Sequence, residues 1–107
     1  MKIGYLWLAV MAASLAFWSI PAAADGAATY KAKCAMCHGA DGKADTPVGK
    51  KMGAHDFASP EVQKMTDAEL IAITAKGKGK MPAYEKKLSD AEIKDVIAYV
   101  RQLVKGK

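Results

Sequence analysis

The chain has 107 residues, 51% of them hydrophobic and 25% charged, with a formal net charge of +5, 2 cysteines and 2 histidines. That length allows one small domain, close to the size at which an apolar core is marginal on its own. The positive charge does not call for nucleic acid, because the basic residues form no stripe with interleaved aromatics.

Lys2 precedes an apolar run from Ile3 to Ile20, and Pro21-Ala22-Ala23-Ala24 comes next. A positive start, an apolar middle and an Ala-x-Ala end predict a signal peptide over residues 1–24, cut before Asp25. The run is also long enough to anchor the chain if uncut, which would tether residues 25–107 to a membrane. The small residues before Asp25 and the lack of a stop-transfer pattern favour cleavage. Export would place residues 25–107 in the periplasm, where a free pair of neighbouring thiols tends to oxidise. Removal of Lys2 takes one unit from the net charge, and the local distribution of charge matters more than its sum.

A first helix is expected from Ala27 to His38, with Asp25 as its N-cap. Gly26, Tyr30, Cys34 and Cys37 fall on one face at helical spacing, while Lys31 and Lys33 lie elsewhere. Cys34-Ala35-Met36-Cys37-His38 is a Cys-x-x-Cys-His haem-attachment signature. Two thiols about one turn apart can both reach the vinyl groups on one porphyrin edge, and the next residue can offer its imidazole to the iron. A redox-active thiol pair would want a βαβ setting, and no strand pattern surrounds it. A structural zinc site needs about four well-placed ligands, more than this chain supplies near the motif.

From Gly39 to Pro60 glycines, prolines and scattered charges predict a long loop, reasonable in a small domain if it wraps a haem edge. Thr66-Asp67-Ala68-Glu69 then reads as a capping box, with Met65 and Leu70 as its hydrophobic staple. The helix it opens carries Leu70, Ile71 and Ile73 and stops near Lys76, with Gly77 as left-handed terminator. Ser89-Asp90-Ala91-Glu92 repeats the device, and Ile93, Val96, Ile97, Val100, Leu103 and Val104 mark the buried face of a last helix.

The second axial ligand of a haem iron has four candidates beyond the attachment site: His55, Met52, Met65 and Met81. Met36, between the cysteines, cannot reach the far face. Met81 is best placed, since Gly77 and Gly79 let the backbone approach a porphyrin and Pro82 biases Met81 toward an extended conformation. Met65 has its staple role, Met52 suits loop packing, and His55 is the chemically sound rival through bis-histidine ligation.

These residues resemble a family. From Gly26-x-x-x-Tyr30 through Cys34-x-x-Cys37-His38 and Met81-Pro82 to a terminal helix with Tyr99, the chain is similar to the class I c-type cytochromes, of the small single-haem bacterial kind. The resemblance implies an all-α domain of about three helices wrapped around one covalent haem c, with first and last helices crossing beside it. It sets Gly26 and Tyr30 against Val96 and Tyr99, and it implies that the carbonyl of Pro47 accepts the His38 imidazole N–H.

Cys34 and Cys37 are therefore the expected thioether residues, and His38 and Met81 the axial iron ligands. A thioether opposite the imidazole favours Fe(II) and leaves no iron position for substrate, which suits a periplasmic one-electron carrier rather than an enzyme. Lys76, Lys78 and Lys80 would steer it onto redox partners with acidic docking patches. Two other functions compete: a haem enzyme or gas sensor with an open distal site, and a membrane-tethered cytochrome subunit of a larger oxidoreductase.

Overall fold

Alanine is the best helix former, and the Ala-rich stretch after Pro21 starts the first helix earlier than its polar cap suggests. In the computed structural model, which describes residues 22–105, α1 runs Ala22–Lys33. Asp25 lies within its first turn, where a carboxylate complements the helix dipole, and is not its N-cap. The leader expected over residues 1–24 lies outside the described residues up to Pro21. The expected single helix to His38 is broken at Cys34 (φ −115°, ψ −32°), and a short α2 spans Ala35–His38.

The last helix, α6 (Asp90–Leu103), crosses α1. A Cβ at Gly26 would run into the backbone carbonyl of Asp95, so only glycine lets the two backbones approach this closely. Tyr30, Val96 and Val100 are buried together at the crossing, with Tyr99 and Leu103 packed against them. The Tyr30 and Tyr99 rings lie 5.3 Å apart, and the Tyr30 hydroxyl donates to the Gly39 carbonyl at 2.6 Å. The crossing that the family resemblance implies is present, with the residues it implies.

The segment expected to be one long loop holds two short helices, α3 (Pro47–Met52) and α4 (Pro60–Gln63). Each is too short to display a hydrophobic period, but each is bounded by local chemistry. Thr46 accepts from the Gly49 N–H and Ser59 from the Val62 N–H, proline fills the first turn of each, and left-handed Gly53 closes α3.

Thr66 caps α5 (Asp67–Lys76) by accepting from the Glu69 N–H at 3.1 Å. The returning half of the box differs from expectation, since the Glu69 carboxylate accepts from the Thr66 hydroxyl at 3.2 Å. At α6 the box is complete, with Ser89 and Glu92 satisfying each other's backbone N–H groups. Ile93, Val96, Ile97 and Val100 form its buried face, as the periodicity predicts. Arg101 ties α6 to the start of α5, donating to Asp67 at 2.9 Å and to the Met65 carbonyl.

Gly77 ends α5 with φ 78° and ψ 166°, an extended mirror-image conformation rather than the left-handed helical one expected. A Cβ there would lie 2.7 Å from the Met81 carbonyl oxygen, so the glycine admits the loop that folds back over the helix end. Helices alone build the described residues, apart from an isolated bridge between Lys78 and Met81.

Candidate functional site

The helices enclose a cleft of about 650 Å³. One wall comes from the attachment segment, with Cys34, Cys37 and His38, and another from α5 and the loop after it, with Leu70, Ile73 and Met81. Val96, Ile97 and Val100 of α6 complete the lining.

His38 is fixed from two sides. Its Nδ1 lies 3.3 Å from the backbone carbonyl of His55, and its ring stacks on Phe57 at 4.4 Å between centroids. A carbonyl only accepts, so Nδ1 carries the proton and Nε2 keeps its lone pair, the tautomer a metal ligand needs. Burial pulls the His38 pKa below its usual value against the opposing pull of the His55 carbonyl, which keeps the ring neutral. The family resemblance gave this carbonyl role to Pro47. Pro47 is instead the first residue of α3, where its carbonyl is directed into the intrahelical ladder.

The attachment segment is braced by α3. The Thr46 hydroxyl lies 2.9 Å from the carbonyls of both Met36 and Cys37, and it accepts from the Gly49 N–H at 2.8 Å. A Cβ at Gly49 would overlap the Cys37 carbonyl. Phe57, Thr46 and Gly49 were not among the residues singled out from sequence. Thr-Pro-x-Gly at 46–49 is a readable N-cap signal, but nothing local shows that its hydroxyl braces Cys37 or that Phe57 meets His38.

Cys34 and Cys37 are free, half-buried thiols. Burial, then the neighbouring Cys37, pushes the Cys34 thiol up to about 11. Redox-active Cys-x-x-Cys pairs show the opposite shift, toward thiolate. Burial also raises Tyr30 well above the ordinary phenol range, keeping its hydroxyl a donor to Gly39.

Every candidate for the second ligand reaches the cleft: Met81, Met52, Met65 and His55 all line it. Met36 does not, and is 74% exposed. The exposed His55 ring is turned toward Glu61, with Nδ1 3.6 Å from the carboxylate.

The family model described as cytochrome C oxidase, cbb3-type, subunit III, matches residues 21–100. Cytochrome c6 of Nostoc sp. is 40% identical over 91 residues, covering 81% of this chain and 78% of that one. The chain belongs to the c-type cytochromes. A solved structure named KustC0563 c-type cytochrome superposes on this cytochrome with a TM-score of 0.69 and 35% identity, covering 76% of this chain and 99% of that one. The cbb3-type cytochrome c oxidase subunit CcoP of Azospirillum brasilense is 36% identical over 88 residues, 80% of this chain. The cytochrome spans only 30% of that subunit's length. Membership implies covalently bound haem c with its iron, and the cleft fits that group. It is lined mainly by apolar side chains, and both thiols and a neutral imidazole open onto it.

Proposed function

We propose that this cytochrome is a periplasmic one-electron carrier in which Cys34 and Cys37 hold the haem and His38 and Met81 are its axial iron ligands. We further propose that residues 1–24 are a leader removed before Asp25. One observation carries the reading: Cys34, Cys37 and His38 of the attachment segment and Met81 of the loop after α5 line one cleft.

When bound, the haem iron supplies the one-electron couple; the chain's residues set its surroundings. The two thiols would anchor one porphyrin edge, and the His55 carbonyl and Phe57 ring orient His38 toward the cleft. The His55 carbonyl is engaged on the His38 side and its ring faces Glu61, which supports Met81 for the opposite position. Met81 sits on a loop pinned by two backbone bonds, Lys78 N–H to Met81 carbonyl and Met81 N–H to Lys78 carbonyl. With the haem bound, a thioether there would favour Fe(II) and would leave no iron position for a substrate.

Lys33, Lys50, Lys51, Lys78 and Lys80 line the cleft, where Glu61 is the lone carboxylate among the described residues. Lys50 is partly offset by Asp45 at 2.9 Å. This basic rim suits redox partners with acidic docking patches. Lys76 stands in the last turn of α5, outside the lining, while Lys33, Lys50 and Lys51 are brought in from other parts of the chain.

The test is spectroscopic. The oxidised protein should show the weak long-wavelength band of an iron–thioether bond, and the reduced protein should bind carbon monoxide slowly. Rapid carbon monoxide binding would mean an open distal position and favour the haem enzyme or gas sensor.

The match to the cbb3-type subunit III model and to CcoP favours a second reading, a tethered subunit of a larger oxidoreductase. No helix among the described residues is long and apolar enough to cross a membrane, so a tether would have to come from outside them. The mass of the mature protein separates the two readings, since a tether through residues 1–24 requires that they be retained.

A further inference from the structure

The loop that carries Met81 is bonded mainly to itself and to α5. The Gly77 N–H donates to Ile73 at 2.7 Å, Lys78 and Met81 exchange both backbone bonds at 3.1 and 3.0 Å, and the Tyr84 and Glu85 N–H groups donate to Thr74 and Ala75 at 3.0 Å each. None of these reaches the attachment segment. That link is made by the Tyr84 hydroxyl, which donates to the Lys33 carbonyl at 3.1 Å across 51 positions of chain.

The acceptor lies beside the attachment motif. Lys33 is the last residue of α1, so its carbonyl lacks an intrahelical donor, and the next residue is Cys34. Among the described residues this is the one hydrogen bond that joins the loop from Gly77 to Leu88 with α1 and α2. The Tyr84 ring is half-buried, lines the cleft and carries the Lys87 ammonium 5.5 Å from its centroid.

We infer that Tyr84 is a positioning residue: its hydroxyl fastens the Met81 loop to the helix end beside Cys34 and so keeps the methionine sulfur over the iron. The inference rests on Met81 being the distal ligand. Without the hydroxyl the loop keeps its bonds to α5 but can swing away from α1, and the distal position opens more often. Tyr84→Phe removes that bond and leaves the ring.

Carbon monoxide captures the open position, so its binding to the reduced holoprotein reads the opening directly. Tyr84→Phe should speed binding about two- to tenfold, the range one neutral hydrogen bond supports. Ser89→Ala, which loses the α6 cap and a comparable amount of global stability, serves as the control. It should lower the urea midpoint yet leave the carbon monoxide rate at that of the unmutated protein. Equal rates for Tyr84→Phe and the unmutated protein would overturn the assignment, as would equal acceleration by Ser89→Ala, which would make the rate a measure of global stability. Failure of the Met81 reading looks different: Met81→Ala would not change the rate, whether the unmutated protein binds carbon monoxide rapidly through an open position or slowly because His55 fills it.

Discussion

At the crossing of α1 and α6, Tyr30, Val96 and Val100 are buried against one another, and the Tyr30 hydroxyl is satisfied by Gly39. Across the cleft, α5 leaves Leu70, Ile71 and Ile73 only half-buried, and its one buried residue is Thr74, bonded to the Leu70 carbonyl. Both α5 and α6 have capped starts and apolar faces, yet Val96, Ile97 and Val100 of α6 are buried by protein even where they border the cleft, whereas Leu70 and Ile73 of α5 stay half-exposed toward it. The polypeptide thus completes the crossing by itself, while the α5 wall needs the haem as its apolar counterpart. In so small a domain the cofactor supplies core as well as chemistry.

Removing the haem should separate the two regions most strongly. Cys34→Ala combined with Cys37→Ala should abolish haem that survives acid-acetone extraction. Amide hydrogen exchange should then accelerate more in α5 and the Met81 loop than in the buried turns of α6. Uniform acceleration would mean that the two regions are equally cofactor-dependent.

The crossing can be attacked separately. Gly26→Ala places a methyl group against the Asp95 carbonyl and should cost about 1–3 kcal/mol in urea unfolding of the holoprotein, with the haem still attached. An unchanged midpoint would mean that the helices can slide apart at little cost.

Charge distinguishes the cleft from the crossing as well. Glutamine at Lys33, Lys51, Lys78 and Lys80 together should slow association with an acidic redox partner about tenfold at low salt, and the difference should vanish as salt is raised. Glutamine at the exposed Lys31 and Lys94, on the two crossing helices and outside the cleft lining, should change the rate far less. Equal slowing by both sets would point to net charge rather than the rim.

The smallest effect lies at a helix end. Ser89→Ala should cost about 1 kcal/mol by removing the cap of α6. The Ser89 backbone and hydroxyl hold the Glu92 carboxyl below its usual 4.5. A lowered folded value stabilises above the unfolded value and is lost as pH falls through the folded one. The stabilisation from Glu92 should therefore fade in acid below about pH 4.5, and Ser89→Ala, which keeps the backbone N–H, should remove only the hydroxyl's share of that pH dependence, which urea titrations across that range would show.

What could be read from sequence divides along physical lines. The cap of α6 and its periodic face are local patterns, and each appears where expected. The two short helices of the 39–60 segment escaped because six and four residues cannot show a period, although Thr46-Pro47 and Ser59-Pro60 mark their starts. The His38 partner and its stacking ring escaped for another reason. His55 and Phe57 meet His38 only after Gly42 and Gly53 turn the chain back, with Phe57 donating its N–H to Gly42 at 3.0 Å. Family resemblance supplied a proline instead, and could not see that Pro47 begins a helix. Tyr84 likewise joins residues far apart in the chain, so no spacing announces it.

If Met81 faces His38 across the haem iron, its methyl group lies over the porphyrin, and methyl NMR of the reduced protein reads that position directly. The chain has 6 methionines. With methionine methyls labelled, one signal should lie far upfield of the rest, because a methyl held over the porphyrin face feels its ring current. That signal should vanish in Met81→Ala and persist in Met52→Leu and Met65→Leu. If no methyl is shifted, or if the shifted one disappears in another methionine variant, Met81 is not the ligand and the proposed ligation of the cleft is wrong.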